Sequence, residues 1–464
     1  MLFNSLHFLL FFPVVIGFYF ALKARYRWIL LLGASYYFYA AWKVEYIFLI
    51  LFSTLVDYWM AILMSSRSSK KERRPFLVFS LISNLGLLAF FKYYAFANES
   101  LASGFQLFGV TYEWYEFEAL LLPVGISFYT FQTLSYSIEV YWGKIKAERH
   151  LGIFALYVSF FPQLVAGPIE RFTSLGKQLR QAHQFSIENF RNGARLMLFG
   201  FFTKMVVADN LGTYVDAFYA NPVAFDSGAA WLATLMYSLQ IYGDFYGYSL
   251  IAIGAALTMG IKIMDNFRNP YFSRSIMEFW RRWHISLSTW FRDYLYIPFG
   301  GNRGTQGKLV FNVILVFLFS GLWHGANWTF VCWGGIHGVV YLMERFSGKP
   351  AAGPVLSTIM GLKTLLFVNL AWLFFRSPDF STAKSVFLQL FTSGPEGKSL
   401  ELEAQMIFIV MFFLALDWLS RNNRFDSWIA ERSLFIRWVT YAVLIFGILA
   451  FGGTDNQPFI YFQF

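Results

Sequence analysis

Apolar runs of membrane-spanning length recur from residue 6 to residue 454, and most lysines and arginines fall in the short stretches between them. Since roughly 20 apolar residues make one helical crossing of a bilayer, the chain is expected to be an all-α, polytopic integral membrane protein. Of its 464 residues 57% are hydrophobic and only 14% charged, too few polar side chains to cover a soluble domain of that length. No long polar segment stands apart, which leaves a single domain over 1–464. The first run, 6–22, resembles the hydrophobic part of a secretion signal, but it is long enough to span and no small-residue cleavage pattern follows, so it reads as a retained anchor. A net charge of +10 would suggest nucleic acid for a soluble protein. Here the basic residues sit in short loops and encode topology, so the expected surroundings are membrane lipids, with no nucleic-acid partner. Cys332 is the only cysteine, which excludes an internal disulfide framework and a cysteine-rich metal site.

The basic loops give a self-consistent orientation. Lys23, Arg25 and Arg27 separate the first two runs, and Arg67, Lys70, Lys71, Arg73 and Arg74 separate the third and fourth, so both loops are assigned to the cytoplasm and the amino terminus to the outside. The stretch 93–118 is external, with Glu99, Glu113, Glu116 and Glu118 against one lysine at its edge; Lys144, Lys146 and Arg149 return the chain inside. The run 151–172 has basic residues on both sides and is interrupted by Pro162, Gly167 and Pro168, as a re-entrant segment would be. Spans near 196–220 and 229–260 follow, then a basic, aromatic cytoplasmic segment over 262–308. Two runs flank His324, Arg345 and Lys349 lie inside, and runs at 359–376, 405–419 and 438–453 complete the chain. The total is about twelve transmembrane or re-entrant helices by the positive-inside rule, with both termini outside and the tail 455–464 external. No internal repeat is visible, so the inverted-repeat signature of many transporters is missing.

Two histidines, His284 and His324, lie in very apolar surroundings. An ionisable side chain inside a membrane is costly and points to function. On a helical wheel Trp280, Trp283, His284, Leu287, Trp290, Phe291 and Tyr294 share one arc, while Arg281, Arg282 and Arg292 fall outside it. The segment therefore reads as an amphipathic helix with an aromatic face, most simply an interfacial one. Its arginines could equally form a basic collar for the phosphates of an acyl-CoA, because guanidinium pairs phosphate oxygens bidentately.

His324 lies between Gly321 and Gly325, small neighbours that leave room beside the ring, with Asn327 three residues on as a possible polar group of the site. A neutral imidazole can take a proton from a hydroxyl near pH 7 and return it to a leaving group. A histidine satisfied by interhelical hydrogen bonds is an equally good reading of the same residues. His337 reads as structural, and His7, His150 and His183 form no constellation. Asp57, Asp209 and Asp244 are each expected to be half of a buried hydrogen-bonded pair, or else to shape an acceptor site. No Gly-rich nucleotide loop, zincin spacing or G-x-S-x-G elbow is present.

The stretches FWRRWHISLSTWFRDYLYIPFGGNRG, SGLWHGANWTFVCWGGIHG, FFPQLVAGPIERF and the closing PFIYFQF resemble the membrane-bound O-acyltransferase family, in the branch that contains the alginate O-acetyltransferase membrane subunit. The resemblance runs nearly end to end. It implies a multi-pass enzyme of the cell inner membrane with a tunnel through the bilayer, in which His324 is catalytic and His284 supports the site. It implies acetyl-CoA as co-substrate with no bound cofactor and no metal, and transfer of acetyl groups to an exported, alginate-like polysaccharide through a periplasmic acetyltransferase partner. Arg281, Arg282 and Arg292 would contact the donor's phosphates. Related systems use a terminal tyrosine motif as an acyl relay, a role that would fall to Tyr461; a phenol of pKa about 10 leaves far more easily than a sugar hydroxyl. The plainer reading is that Phe459, Tyr461 and Phe464 anchor the tail at the interface. Peptidoglycan O-acetylation and D-alanyl transfer to teichoic acid remain open on the same scaffold, and a transporter or scramblase outside the enzyme class.

Overall fold

The computed structural model describes residues 1–114, 117, 122–165, 167–348, 353–392, 397–453, 459 and 460. Glu116, Glu118, Lys349, Tyr461 and Phe464 lie outside the described residues. Those described form helices, with a single isolated bridge between Phe225 and Lys398 and no strand among them. The amino-terminal half comprises α1 (Leu6–Ala21), α2 (Ala24–Ala40), α3 (Ile47–Ser65) and α4 (Lys70–Leu88), which runs through a π segment, Ala89–Tyr93, into α5 (Tyr94–Gln106). Then come α6 (Ile126–Trp142), the short α7 (Leu151–Ser159), α8 (Phe161–Leu164) and α9 (Phe172–Gln178), and α10 (Ile187–Phe201), joined by a second π segment, Phe202–Ala208, to α11 (Asp209–Ala220). The rest comprises α12 (Ser227–Thr258), α13 (Ile276–Arg282), α14 (Ile285–Phe291), α15 (Gln306–His324), α16 (Trp328–Ser347), α17 (Pro354–Arg376), α18 (Phe380–Gln389), α19 (Ala404–Leu419), α20 (Phe425–Ala430) and α21 (Leu434–Phe451).

Among the described residues, five stretches are long and apolar enough to cross a membrane: Val44–Ser65, Lys70–Gln106, Gln306–His324, Pro354–Arg376 and Leu434–Phe451. Other described helices are shorter or more polar than these. The run 151–172 is broken as its prolines and glycine suggest: α7 has nine residues, about 14 Å of helix at 1.5 Å per residue, which is too short to cross. Its side chains from Ile153 to Val165 are buried, so the segment is lined by protein, the one setting in which irregular backbone is stable at membrane depth.

Close backbone approach organises the bundle. A Cβ on Gly193, Gly200, Gly247 or Gly254 would lie 2.5–2.7 Å from a carbonyl oxygen across the α10–α12 contact, Gly193 facing Gly254 and Gly200 facing Gly247. Both helices thus carry glycine at a seven-residue spacing, read in opposite directions, and they pack antiparallel with main chains touching. Helices α15 and α16 meet the same way, Gly321 against the Phe330 carbonyl and Gly334 against that of Phe317. Gly321 and Gly325 therefore do not open space beside His324: the first is covered by the Phe330 backbone and the second by its ring.

The buried aspartates are paired as expected. Asp57 accepts from Ser80 Oγ, Ser137 Oγ (2.9 Å) and Asn84 Nδ2 (2.9 Å), tying α3, α4 and α6. Asp209 and Asp244 share Lys204, at 2.6 and 2.5 Å. The described residues of the tail, Phe459 and Ile460, are buried in the core. Two aromatic rings and a buried carboxylate hold them there, as described below.

Candidate active site

The wheel through residues 280–294 assumed one helix, but the chain breaks in its middle. Helix α13 ends at Arg282, and His284 adopts φ 42°, ψ 55° before α14 begins. For a residue with a Cβ this left-handed conformation costs about 1–2 kcal/mol. Asn266 holds it in place. Its backbone carbonyl accepts from Ile285 N (2.9 Å), and its Oδ1 accepts from Ser286 Oγ (2.9 Å) and Ser286 N (3.3 Å). His284 Nδ1 lies 3.1 Å from the same Oδ1. An amide oxygen can only accept, so the network assigns the proton to Nδ1 and leaves the Nε2 lone pair facing away from Asn266.

This break turns the aromatic face inward, so the segment is two short helices packed on the bundle rather than one amphipathic helix. Trp283 and His284 are fully buried, and Trp290 stacks on Phe131 with centroids 3.9 Å apart while donating its indole N–H to the Phe131 carbonyl at 2.8 Å. The His284 ring meets Phe245 edge-on at 4.6 Å and lies 6.2 Å from the His324 ring. The two histidines singled out by their apolar surroundings are therefore neighbours, although forty residues separate them in sequence.

His324 is the last residue of α15 and is 1% exposed. Edges of Trp323, Trp333 and Phe375 surround it at 5.0–5.3 Å. Lys92, in the first π segment, donates from Nζ to the carbonyls of Trp323 (2.8 Å) and His324 (3.0 Å), and Tyr93 donates to that of Leu322 at 2.9 Å. A cation on the last carbonyls of a helix satisfies groups with no intrahelical partner and opposes the helix dipole. Lys92 is the lysine at the edge of the stretch 93–118. Its signal was a lone lysine, in AFFKYYAF, deep in an aromatic run with no basic neighbour.

The remaining candidates divide. Arg281 and Arg292 line one cavity of about 410 Å³, together with Ser288, Thr289, Phe317 and Ser320. Ser320 stands one helical turn before His324 on α15, so the cavity reaches within a turn of the imidazole. Arg292 also pairs with Asp293 (2.7 Å), whereas Arg282 turns to Glu278 at 2.6 Å and does not line the cavity. Asn327 caps α16: its Oδ1 accepts from Thr329 N (3.0 Å) and its amide donates to the Pro378 carbonyl (2.6 Å). His337 accepts from the Trp280 indole at 3.3 Å, and Trp333 packs against both it and His324. His7, His150 and His183 are engaged with Tyr37, with the start of α7 and with the Gln178 carbonyl.

Among the described residues, the helical bundle thus holds two buried, adjacent histidines beside an arginine-edged cavity. Residues 150–376 match the model of the membrane-bound O-acyltransferase family. The chain is 41% identical over 398 residues to a probable alginate O-acetylase of Azotobacter vinelandii, covering 85% of this chain and 79% of that protein. A probable alginate O-acetylase of Pseudomonas putida aligns over the whole of both chains at 37% identity. A peptidoglycan O-acetyltransferase of Helicobacter pylori is 35% identical over 83% of this chain and 79% of that one. The chain belongs to the membrane-bound O-acyltransferase family, and it is a multi-pass membrane O-acyltransferase.

Proposed function

We propose that this protein resides in the cell inner membrane and moves acetyl groups from cytoplasmic acetyl-CoA to the outer side, for O-acetylation of an exported, alginate-like polysaccharide through a periplasmic partner. The names of its relatives support an O-linked polymer acceptor, and peptidoglycan is the alternative that the Helicobacter pylori relative favours. The observation that carries the reading is the pair of buried imidazoles 6.2 Å apart, one turn beyond a cavity edged by Arg281 and Arg292.

In this mechanism Arg281 and Arg292 pair the donor's phosphates at the cytoplasmic mouth, and the thioester arm reaches past Ser320. His324 takes the proton from an acceptor hydroxyl; the freed oxygen bonds to the acetyl carbon; the carbon–sulfur bond breaks. The thiolate leaves with the proton returned by the imidazolium. His284, fixed by Asn266, presents its Nε2 side toward the reaction and shapes the ring's surroundings. The first acceptor is the Tyr461 phenol, whose ester keeps the transfer potential needed to pass the acetyl group to a partner enzyme. Purified protein given labelled acetyl-CoA is expected to release free CoA, and His324→Ala, folded as judged by its thermal transition, is expected to release none. Flux of a solute without thioester cleavage is the result of a transporter and would refute the proposal. Tyr461→Phe is expected to abolish polymer acetylation; unchanged acetylation would remove the relay.

A further inference from the structure

The triad Asp209–Lys204–Asp244 takes no part in the chemistry above, yet it is among the most buried sets of charges in the molecule. Lys204 and Asp244 have side chains 4% and 3% exposed. Lys204 sits in the π segment Phe202–Ala208, whose extra residue interrupts the helix from α10 to α11 and places the ammonium between two carboxylates. One cation against two anions leaves an excess of negative charge in a medium that penalises it, unless further donors arrive. One such donor comes from the far end of the chain: Ile460 N donates to Asp244 Oδ2 at 2.7 Å.

The neighbouring residue makes the contact directional. Phe459 packs with centroid distances of 4.9 Å to Tyr248 and 5.5 Å to Phe245, and Phe245 is the ring standing edge-on to His284. The start of the tail is held by the same elements, since Asn210 donates to the carbonyl of Phe451, the last residue of α21. Phe451 is thus tied to α11, and residues 459 and 460 to α12.

We propose that Lys204 and Asp244 form a latch that holds the chain by its backbone at residue 460, with Phe459 against the Phe245 ring that borders His284; both are positioning residues for the transfer. The role in transfer rests on the reading of Tyr461 as first acceptor. Because the carboxylate reads a main-chain N–H, the latch requires an amide hydrogen at 460, beside a side chain that is itself buried.

Ile460→Pro removes that hydrogen without changing a side chain of the triad, while Ile460→Val keeps it. In the full-length protein in lipid nanodiscs, trimming by a carboxypeptidase, followed by intact mass, reads the tail's release. Trimming of Ile460→Pro is expected to speed up by at least about tenfold, the occupancy change that follows loss of one hydrogen bond to a charged group. Acetyl transfer is expected to fall by a similar factor with the KM for acetyl-CoA unchanged, and Ile460→Val is expected to match the wild type. Asp244→Asn, which weakens the acceptor at constant volume, is expected to speed trimming as well. Trimming of Ile460→Pro at the wild-type rate overturns the latch, and full transfer from a released tail overturns its positioning role. Tyr461→Phe separates the two ideas: it tests the relay through transfer alone, leaving trimming as the measure of the latch.

Discussion

At the scale of single residues, the site depends on two groups that hold a histidine from behind. Asn266 stabilises the left-handed turn at His284 through its carbonyl and its side-chain oxygen. Asn266→Ala is expected to lower kcat by about tenfold or more while leaving the KM for acetyl-CoA unchanged, since misplacing a catalytic group costs rate rather than binding; a wild-type kcat would show that the turn holds without it. Lys92 plays the matching part for His324, with two carbonyl contacts at the end of α15. Lys92→Met leaves buried carbonyls without their donor, a loss of about 1–3 kcal/mol. A lower thermal transition and a reduced kcat are expected, with partial recovery in Lys92→Arg. Of these residues the sequence revealed the histidines, because an imidazole in an apolar run is conspicuous on energetic grounds. It did not reveal Asn266, whose partners lie 18 to 20 residues away across a chain reversal, or the left-handed turn, which helical periodicity has no means of encoding. Asn327 carried the opposite lesson: its position suited a site, but an asparagine immediately before a helix is first of all a cap.

At the scale of elements, the site is held by helices that touch main chain to main chain. Gly334 and Gly335 are adjacent on α16 and make a matched pair. A Cβ at Gly334 would collide with the Phe317 carbonyl, whereas one at Gly335 would meet a Leu318 methyl at 3.5 Å, an ordinary contact. Gly334→Ala is expected to force α15 and α16 apart and lower both the thermal transition and the transfer rate; Gly335→Ala is expected to resemble the wild type. Equal behaviour of the two variants would mean that the close crossing does not set the position of His324. The broken run 151–172 was legible from its prolines and glycine. The inward turn of the α13–α14 aromatic face was not, because tryptophan and arginine side by side suit both a membrane interface and a pair of short helices packed on the bundle.

For the whole molecule, the all-helical membrane class followed from the apolar runs, and the family from several motifs in order. The path of the tail did not: a charge count assigns the end of the chain to one side of the membrane, but it cannot register that Asp244, deep in α12, reaches for a backbone amide at residue 460. Donor recognition belongs to this scale as well. Arg281→Gln with Arg292→Gln is expected to raise the KM for acetyl-CoA by about tenfold, from two lost charge-assisted contacts, with kcat little changed; the opposite pattern would place the donor elsewhere. The most direct measurement uses proteoliposomes with one orientation of the protein and acetyl-labelled acetyl-CoA on the cytoplasmic face only. Free CoA is expected to accumulate on that face while labelled acetyl ester appears on the opposite one, and both signals are expected to vanish in His324→Ala. Label that stays on the donor side, or CoA release that persists at the wild-type rate in His324→Ala, would contradict transfer across the membrane through this imidazole.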